Sequence, residues 1–121
     1  MEAICKAKFQ RFGPRKVNQV CEIIRGKSVH AAQSVLPSAQ RAATQLVEKT
    51  LRSAAANLAV KLGRPVDLNS IYVKQAWVGA GPMQHMKRVK PAPMGRAMMF
   101  KRKVCHLTII VSDDSKSSRK N

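Results

Sequence analysis

The clearest structural element in the sequence is the stretch of residues 38–62, which reads SAQRAATQLVEKTLRSAAANLAVKL. A helix from Ala39 to Leu62 would be about 36 Å long, and Gly63 and Pro65 supply its end. Because its apolar residues recur at three- and four-residue steps and are mostly alanine, we assign them to the protein core rather than to a lipid or cofactor surface. These residues are Ala43, Leu46, Val47, Leu51, Ala54, Ala55, Leu58, Ala59 and Leu62.

A short strand and two further helices are predicted before this long helix. Residues 2–9 alternate between apolar and polar side chains, which predicts a half-buried strand. Pro14 opens the first helix and Gly26 ends it, while Ser28 caps the second, which runs through Leu36. The residues predicted to face inward are Ala3, Cys5, Ala7 and Phe9 in the strand and Val17, Val20, Cys21 and Ile24 in the first helix.

After the long helix the apolar period returns to two residues, which predicts two more strands. In the first, one face carries Ile71, Val73 and Trp77, and the other carries Tyr72, Lys74, Ala76 and Val78. The last strand, Val104 to Val111, directs Cys105, Leu107, Ile109 and Val111 inward. We therefore predict an α+β fold, with three helices packed on a small three-stranded antiparallel sheet and a long protruding β-hairpin. Residues 1–113 would form a single domain, and residues 114–121 a polar C-terminal tail.

The charge of the chain is its strongest indication of function. Its 121 residues include 23 Lys and Arg against six Asp and Glu, a formal net charge of +17. Repulsion at that density is tolerable when a polyanion supplies the opposite charge; nucleic acid is the first candidate and an anionic membrane surface the second. A solvated surface without such a partner would mix charges of both signs. Because no membrane span or signal peptide is visible, we expect an intracellular protein without membrane insertion.

The residue types that commonly serve in catalysis or metal binding form no recognisable site in this sequence. Cys5, Cys21 and Cys105 are far apart, form no Cys-x-x-Cys pair and do not cluster with the histidines. Each thiol occupies an apolar-face position, so we expect no metal, no cofactor and a reducing cytoplasmic compartment. The acids are scattered, and no nucleophile–base pair or phosphate-binding glycine loop can be assigned. We therefore expect no enzymatic activity and no catalytic residues.

A basic arm, residues 79–106, separates the last two strands. Residues 82–106 hold seven Lys or Arg, no acid, and five of the six methionines. The flanking strands and the Pro-x-Pro-x-Gly turn at residues 91–95 predict one extended hairpin, with sides of about 12 residues and roughly 40 Å long. An isolated hairpin is unstable in water, so the arm would become ordered against a partner whose phosphates it contacts. The alternative is a disordered basic loop, which would still bind nucleic acid.

Several motifs follow one another in a recognisable order. They are Gly13-Pro14-Arg15-Lys16, Ile23-Ile24-Arg25-Gly26-Lys27, Ala54 to Asn57, Gly81-Pro82, Gly95-Arg96-Ala97 and His106-Leu107-Thr108-Ile109-Ile110-Val111. Nine residues separate Arg96 from His106. This ordered set, over residues 1 to about 113, resembles the universal large-subunit ribosomal protein twenty-two family of bacterial type.

The resemblance implies a non-catalytic structural protein of the cytoplasmic ribosome, seated on the large subunit near the tunnel exit. It implies an arm that threads through ribosomal RNA, aids assembly, and lines the nascent-peptide exit tunnel near the macrolide site. The implied partners are large-subunit rRNA, neighbouring ribosomal proteins and the nascent polypeptide. The residues expected to bind rRNA are Lys6, Lys8, Arg11, Arg15, Lys16, Arg25, Lys27, Lys87, Arg88, Lys90, Arg96, Lys101, Arg102, Lys103 and His106. The residues expected at the tunnel-lining tip are Met86, Lys87, Arg88, Pro91, Ala92, Pro93, Met94, Gly95 and Arg96.

This chain departs from the family pattern near the tip of the arm. Ala92 and Pro93 stand where many relatives have an arginine after the tip proline. Met98 and Met99 follow the Gly-Arg-Ala motif in place of an acid or another arginine. The competing hypothesis is a free-standing nucleic-acid-compacting protein, which would bind any duplex with similar affinity.

Overall fold

The computed structural model describes residues 1–113, and the polar tail predicted at residues 114–121 lies outside the described residues. The helices of the described part are α1 (Pro14–Ile24), α2 (Val29–Val35), a short 3-10 helix (Leu36–Ala39) and α3 (Thr44–Leu62). Its strands are β1 (Glu2–Gln10), β2 (Tyr72–Ala80), β3 (Lys87–Pro91), β4 (Ala97–Lys101) and β5 (Cys105–Ser112). The chain is an α+β protein, as the sequence predicts.

β5, the last strand within residues 1–113, is the central strand of the main sheet. β1, β5 and β2 form an antiparallel sheet in that order, while β3 and β4 form a separate two-stranded sheet. The residues of β5 predicted to face inward are fully buried: Cys105, Leu107, Ile109 and Val111. Thr108 and Ile110, on its other face, are also buried, because a strand lies on each side of β5.

The helices cover one face of this sheet. α3 packs on β1 and β5, and α1 packs on β2. Fully buried residues form the contact faces of these helices: Val17, Val20, Cys21 and Ile24 in α1, and Val47, Leu51, Ala54 and Leu58 in α3. The Asn57 amide donates to the Ile4 carbonyl at 3.1 Å, and Lys61 Nζ donates to the Glu2 carbonyl at 2.9 Å, which fixes α3 along β1. Within residues 1–113, no helix has the length and apolar character needed to cross a membrane.

The long helix begins later than the sequence predicts. It starts at Thr44 rather than at Ala39, because Leu36–Ala39 form a 3-10 helix and Gln40 has a φ of 43°. A residue in the left-handed region interrupts the path of a right-handed helix. The other end agrees with the prediction, since Gly63 has a φ of 64° and caps the helix.

Trp77 lies on the opposite face of the sheet from the one that the sequence predicts. The register of β2 shifts between Val73 and Gln75, so Lys74 is an extra residue in the strand. This β-bulge exchanges the faces of the residues that follow it. Ala76 is therefore buried in place of Trp77, whose side chain is 44% exposed on the outer face.

A second bulge reverses the predicted orientation of Phe9. The register of β1 shifts between Ala7 and Gln10, so Lys8 and Phe9 together lie opposite His106. Phe9 has a φ of 56°, which is rare for a bulky residue. Its side chain is 63% exposed rather than directed inward. Strict alternation along residues 2–9 was therefore a wrong prediction at its last position.

The arm is not one continuous hairpin with sides of about 12 residues. Its paired part consists of β3 and β4, with five residues on each side, so it is roughly 17 Å long. The chain between this pair and the main sheet is irregular. We call β3, β4 and the turn between them the hairpin, and residues 81–86 and 102–104 the joint.

Candidate nucleic-acid interface

The joint begins at a close contact between Gly81 and Val104. The Gly81 N–H donates to the Val104 carbonyl at 2.7 Å, and a Cβ at residue 81 would lie 2.9 Å from Val104 Cγ1. A side chain here would push the two segments apart, so glycine allows them to leave the main sheet together. Residues 82–85 then loop out, and pairing resumes where the Arg102 N–H donates to the Met86 carbonyl at 2.9 Å.

The two faces of the hairpin carry different sets of side chains. Alternation along the register places Arg88, Lys90, Met98 and Phe100 on one face and Lys87, Val89, Met99 and Lys101 on the other. On the first face, Lys90 Nζ lies 4.8 Å from the centre of the Phe100 ring, and the guanidinium carbon of Arg102 lies 5.2 Å from it. These are cation–π contacts. Nine of the ten strand residues are exposed, so both faces are open to a partner.

Four cations converge where the hairpin meets the globular domain. Arg88, Arg102 and Lys103 of the arm and Arg11, just after β1, line a concavity of about 340 Å³ together with Met86 and Val104. We call this site the cationic concavity. Guanidinium groups present several N–H donors in a plane and bind phosphate oxygens in pairs. The concavity is therefore chemically suited to a phosphate of a nucleic-acid backbone.

No carboxylate within residues 1–113 lines the cationic concavity. All six acids lie outside residues 82–106. Within residues 1–113, three acids pair in the globular domain: Glu2 with Lys74, Glu48 with Arg52, and Asp113 with the N-terminal ammonium. The positive charge of the arm is thus left for a partner to balance.

The turn of the hairpin exposes a methionine in an unfavourable backbone conformation. The Ala92 N–H donates to the Arg96 carbonyl at 2.8 Å, and the Arg96 N–H donates to the Pro93 carbonyl at 3.4 Å. Met94 and Gly95 have φ values of 60° and 68°, a type I′ turn that suits glycine but not methionine. The Met94 side chain is 94% exposed, so the extreme end of the hairpin is apolar.

The predicted tip residues do not all lie at this turn. Residues 91–96 do, as the sequence predicts. Met86, Lys87 and Arg88 lie at the other end of the hairpin, since Lys87 pairs with Lys101 and Met86 borders the cationic concavity. The register corrects their assignment to the tip, because three pairs of the ladder separate even Arg88 from the turn.

The predicted cations of the globular domain are spread over several faces. Those with exposed side chains include Lys6, Lys8, Arg11, Arg15, Lys16 and Lys27. Arg25 already has partners, since its Nε donates to the Ala76 carbonyl and its Nη2 to Asn18 Oδ1, both at 2.7 Å. His106 is half-buried, and its Nδ1 accepts the Phe9 N–H at 2.9 Å. Arg25, which is exposed, and His106 therefore also make contacts within the fold.

Two of the three thiols, those of Cys21 and Cys105, are buried and unsuited to chemistry. Burial raises the pKa of Cys21 to about 11, although Arg25 lowers it in part, and burial also raises the pKa of Cys105. A neutral, buried thiol is neither a nucleophile nor a metal ligand. Among the residues that the structure describes, no group of three His, Cys, Asp or Glu side chains could hold a metal ion.

Sequence reasoning missed two exposed aromatic residues on the outer face of the main sheet. Trp77 and Phe9 border a second concavity together with Lys6, Lys8 and His106. Phe9 was predicted on the apolar face of β1, and Trp77 on the same face of its strand as Ile71 and Val73, but bulges turn both outward. The extra residue of a bulge leaves no reliable mark in an alternating pattern, so the sequence offered no signal for this surface.

A folded α+β domain that carries an exposed, acid-free cationic arm defines a class of protein that binds a polyanion through charge and shape. Residues 5–112 match the model of the family described as Ribosomal protein L22p/L17e. The chain belongs to this family. The resemblance suggested by the motifs is thereby confirmed.

Related proteins cover almost the whole chain. Large ribosomal subunit protein uL22 of Endomicrobium trichonymphae is 44% identical over 99% of both chains. The protein of the same name in Myxococcus xanthus is 40% identical over 96% of this chain and 100% of its own length. That of Thermotoga sp. strain RQ2 is 37% identical over 96% of this chain and 70% of its own.

Proposed function

We propose that this chain is a structural, non-catalytic constituent of the large subunit of the cytoplasmic ribosome, where it binds large-subunit rRNA and aids its assembly. The observation that carries the proposal is the cationic concavity, where Arg11, Arg88, Arg102 and Lys103 converge without a carboxylate. The names of the related proteins place them in the large ribosomal subunit, which supports the same partner for this chain.

The arm contacts RNA mainly through its phosphate backbone. The hairpin presents cations on both faces, so phosphates from two RNA segments can bind it at the same time. The free hairpin buries little of its apolar surface, since nine of its ten strand residues are exposed, and it is stabilised when RNA neutralises its charge. Binding therefore orders the arm and fixes the two RNA segments relative to each other, which is the contribution to assembly.

The turn of the hairpin lines the nascent-peptide exit tunnel. Met94 and its neighbours Ala92 and Pro93 offer an apolar, uncharged end beyond the cationic strands. Methionine adapts to varied apolar neighbours, which suits a surface passed by many polypeptide sequences. Neighbouring ribosomal proteins contact the globular domain through the exposed faces of its helices.

The proposal is tested by removing charge from the cationic concavity. The triple variant Arg88→Gln, Arg102→Gln, Lys103→Gln is compared with Arg41→Gln, Lys49→Gln, Arg52→Gln, which removes the same charge from the region of α3. Affinity for a large-subunit rRNA fragment is measured over a range of salt concentrations. We expect the slope of log K against log salt to fall by about two to three in the first variant and to stay nearly unchanged in the second.

Equal slopes in both variants would contradict phosphate contact at the concavity. A second measurement distinguishes the proposed ribosomal function from the competing hypothesis of a free-standing nucleic-acid-compacting protein. The wild-type chain is expected to remain with purified large subunits through a high-salt wash and to prefer rRNA over random duplex DNA. Complete release, with equal affinity for the DNA, would favour the competing hypothesis instead.

A further inference from the structure

The outer face of the main sheet holds a row of side chains that are not part of the RNA-binding surface proposed for the arm. Lys6, Thr108 and Trp77 lie directly opposite one another on β1, β5 and β2, since Lys6 pairs with Thr108 and Thr108 with Trp77. In the next row, His106 lies opposite Gly79, which has no side chain. A Cβ at residue 79 would meet nothing within 4 Å, so the space beside His106 is open.

Two aromatic rings border this space. The rings of Phe9 and His106 meet edge to face, with centroids 4.8 Å apart and an angle of 87° between their planes. Trp77 lies on β2, on the other side of β5 from Phe9. Its side chain is 44% exposed, and that of Phe9 is 63% exposed. Together with Lys6 and Lys8 these residues line a concavity of about 390 Å³.

The conformation of Phe9 is costly and would not be selected by packing alone. Its φ of 56° lies in the left-handed region, which disfavours a bulky side chain. Its N–H donates to His106 Nδ1 at 2.9 Å, which leaves Nε2 as the ring nitrogen that a ligand can contact. Residues held in such conformations cluster at binding sites.

We propose that this concavity, formed by Lys6, Lys8, Phe9, Trp77 and His106, binds one unpaired nucleotide of RNA, with its base stacked on Trp77. Proteins that bind single-stranded nucleic acid combine cations that follow the backbone with aromatic faces on which bases stack. Here Lys6 and Lys8 contact the flanking phosphates. The inference rests on the proposed function and adds to it a contact with a base, in place of contact with backbone alone.

Charge favours RNA over a protein as the occupant. The residues that line the concavity include two lysines and no acid. Glu2, the acid of β1, lies at the far end of the strand and pairs with Lys74. A protein partner for an aromatic surface would gain from a mixed polar rim, whereas this rim is cationic.

The single tryptophan of the chain makes the site directly observable. Fluorescence of the full chain is titrated with a short single-stranded RNA and, in parallel, with an abasic oligomer of equal length that has the same phosphates but no bases. We expect quenching with the RNA and not with the abasic oligomer. The Trp77 variants lack this fluorophore, so their affinities are measured by fluorescence anisotropy of end-labelled oligomers. Trp77→Ala should weaken binding of the RNA by about ten-fold and leave binding of the abasic oligomer unchanged.

A conservative variant guards against a merely structural effect. Trp77→Phe keeps an aromatic face and should restore most of the affinity lost in Trp77→Ala, whereas Trp77→Leu should not. If the RNA binds with an unchanged salt slope but all three variants bind equally, base stacking is wrong and the proposed function stands. If the wild-type chain binds neither oligomer nor an rRNA fragment, the proposed function fails as well.

The assembled particle decides between RNA and protein. A photo-crosslinking amino acid is placed at position 77 of the chain, which is then incorporated into large subunits. A crosslink to rRNA, mapped to an unpaired nucleotide, is the expected result. A crosslink to a neighbouring ribosomal protein would overturn the proposal and identify this face as a protein contact.

Discussion

β5 and the hairpin are both antiparallel β-structure, and they differ in almost everything else. Seven of the eight residues of β5 are buried, whereas nine of the ten residues of β3 and β4 are exposed. β5 has a paired strand on each side and helices across one face, while β3 and β4 have only each other. Because the hairpin has no buried face, we expect that its ladder of hydrogen bonds does not make a stable unit by itself.

The largest expected effect is on amide hydrogen exchange in the free protein. Amides of β5 should exchange only through global unfolding, while those of β3 and β4 should exchange through local opening. For an ordinary domain stability, the rates should differ by roughly three orders of magnitude or more. The measurement is exchange followed by NMR on the full chain, with and without an rRNA fragment.

Added RNA serves as the control, because it should protect the hairpin amides much more than those of β5. Slow amide exchange in β3 and β4 without RNA would contradict the expected difference between the hairpin and β5. The hairpin would then be part of the cooperative domain, and its cations would be positioned before binding.

The second effect is on the free energy of unfolding. Ile109→Ala removes a fully buried side chain from β5 and should destabilise the protein by about 2–5 kcal/mol. Val89→Ala removes apolar atoms from an exposed position of β3 and should change stability by less than about 0.5 kcal/mol. Urea unfolding of both variants gives the comparison, and a similar loss in each would show that the hairpin packs on the domain.

The buried parts of the fold are those that the sequence predicted well. The stripes of α1 and α3 and the inward face of β5 repeat regularly because each must fill one core. The predicted cap of α2 is also confirmed, since Ser28 accepts a hydrogen bond from the Ala31 N–H. Predictions failed where one residue breaks a period: the left-handed Gln40 before α3, and the bulge at Lys74 that turned Trp77 outward.

The candidate site was predictable in composition and not in arrangement. Charge alone indicated the arm, because exclusion of acids from residues 82–106 is visible in the sequence. The convergence of Arg11 with Arg88 depends on the joint, whose loop at residues 82–85 has no periodic pattern. The register of the hairpin then decided that Met86 lies at its base, a relation that residue spacing cannot give.

The third effect is a loss of stability at alkaline pH that comes from the core. Cys21 has its pKa raised from 9.0 to about 11 in the folded protein, so folding keeps its thiol neutral. This stabilising contribution is fully present below pH 9 and is lost as pH rises toward about 11. The free energy of unfolding should fall by up to about 1.4 kcal/mol per pH unit over that range.

Cys21→Ala is the matched control, because it lacks the thiol and keeps every exposed cation. Its stability should depend less steeply on pH between 9 and about 11. Lysines that lose charge in the same range contribute equally to both proteins and cancel in the difference. If the free energy of unfolding depends equally on pH in the wild type and in Cys21→Ala, the alkaline sensitivity comes from the exposed cations rather than from the Cys21 thiol.

The smallest effect concerns the packing that the hairpin does have. Phe100→Ala removes the ring that Lys90 and Arg102 contact, which should cost about 0.5–1 kcal/mol per cation–π contact. Because the hairpin opens locally, this loss should lower the fraction of paired hairpin and not the unfolding midpoint. RNA affinity depends on that fraction and should fall by about two- to five-fold. Phe100→Leu is the control, because it keeps apolar volume without a π face. If its RNA affinity falls as far as that of Phe100→Ala, the effect comes from the cation–π contacts. If its RNA affinity is unchanged, the effect comes from apolar contact alone.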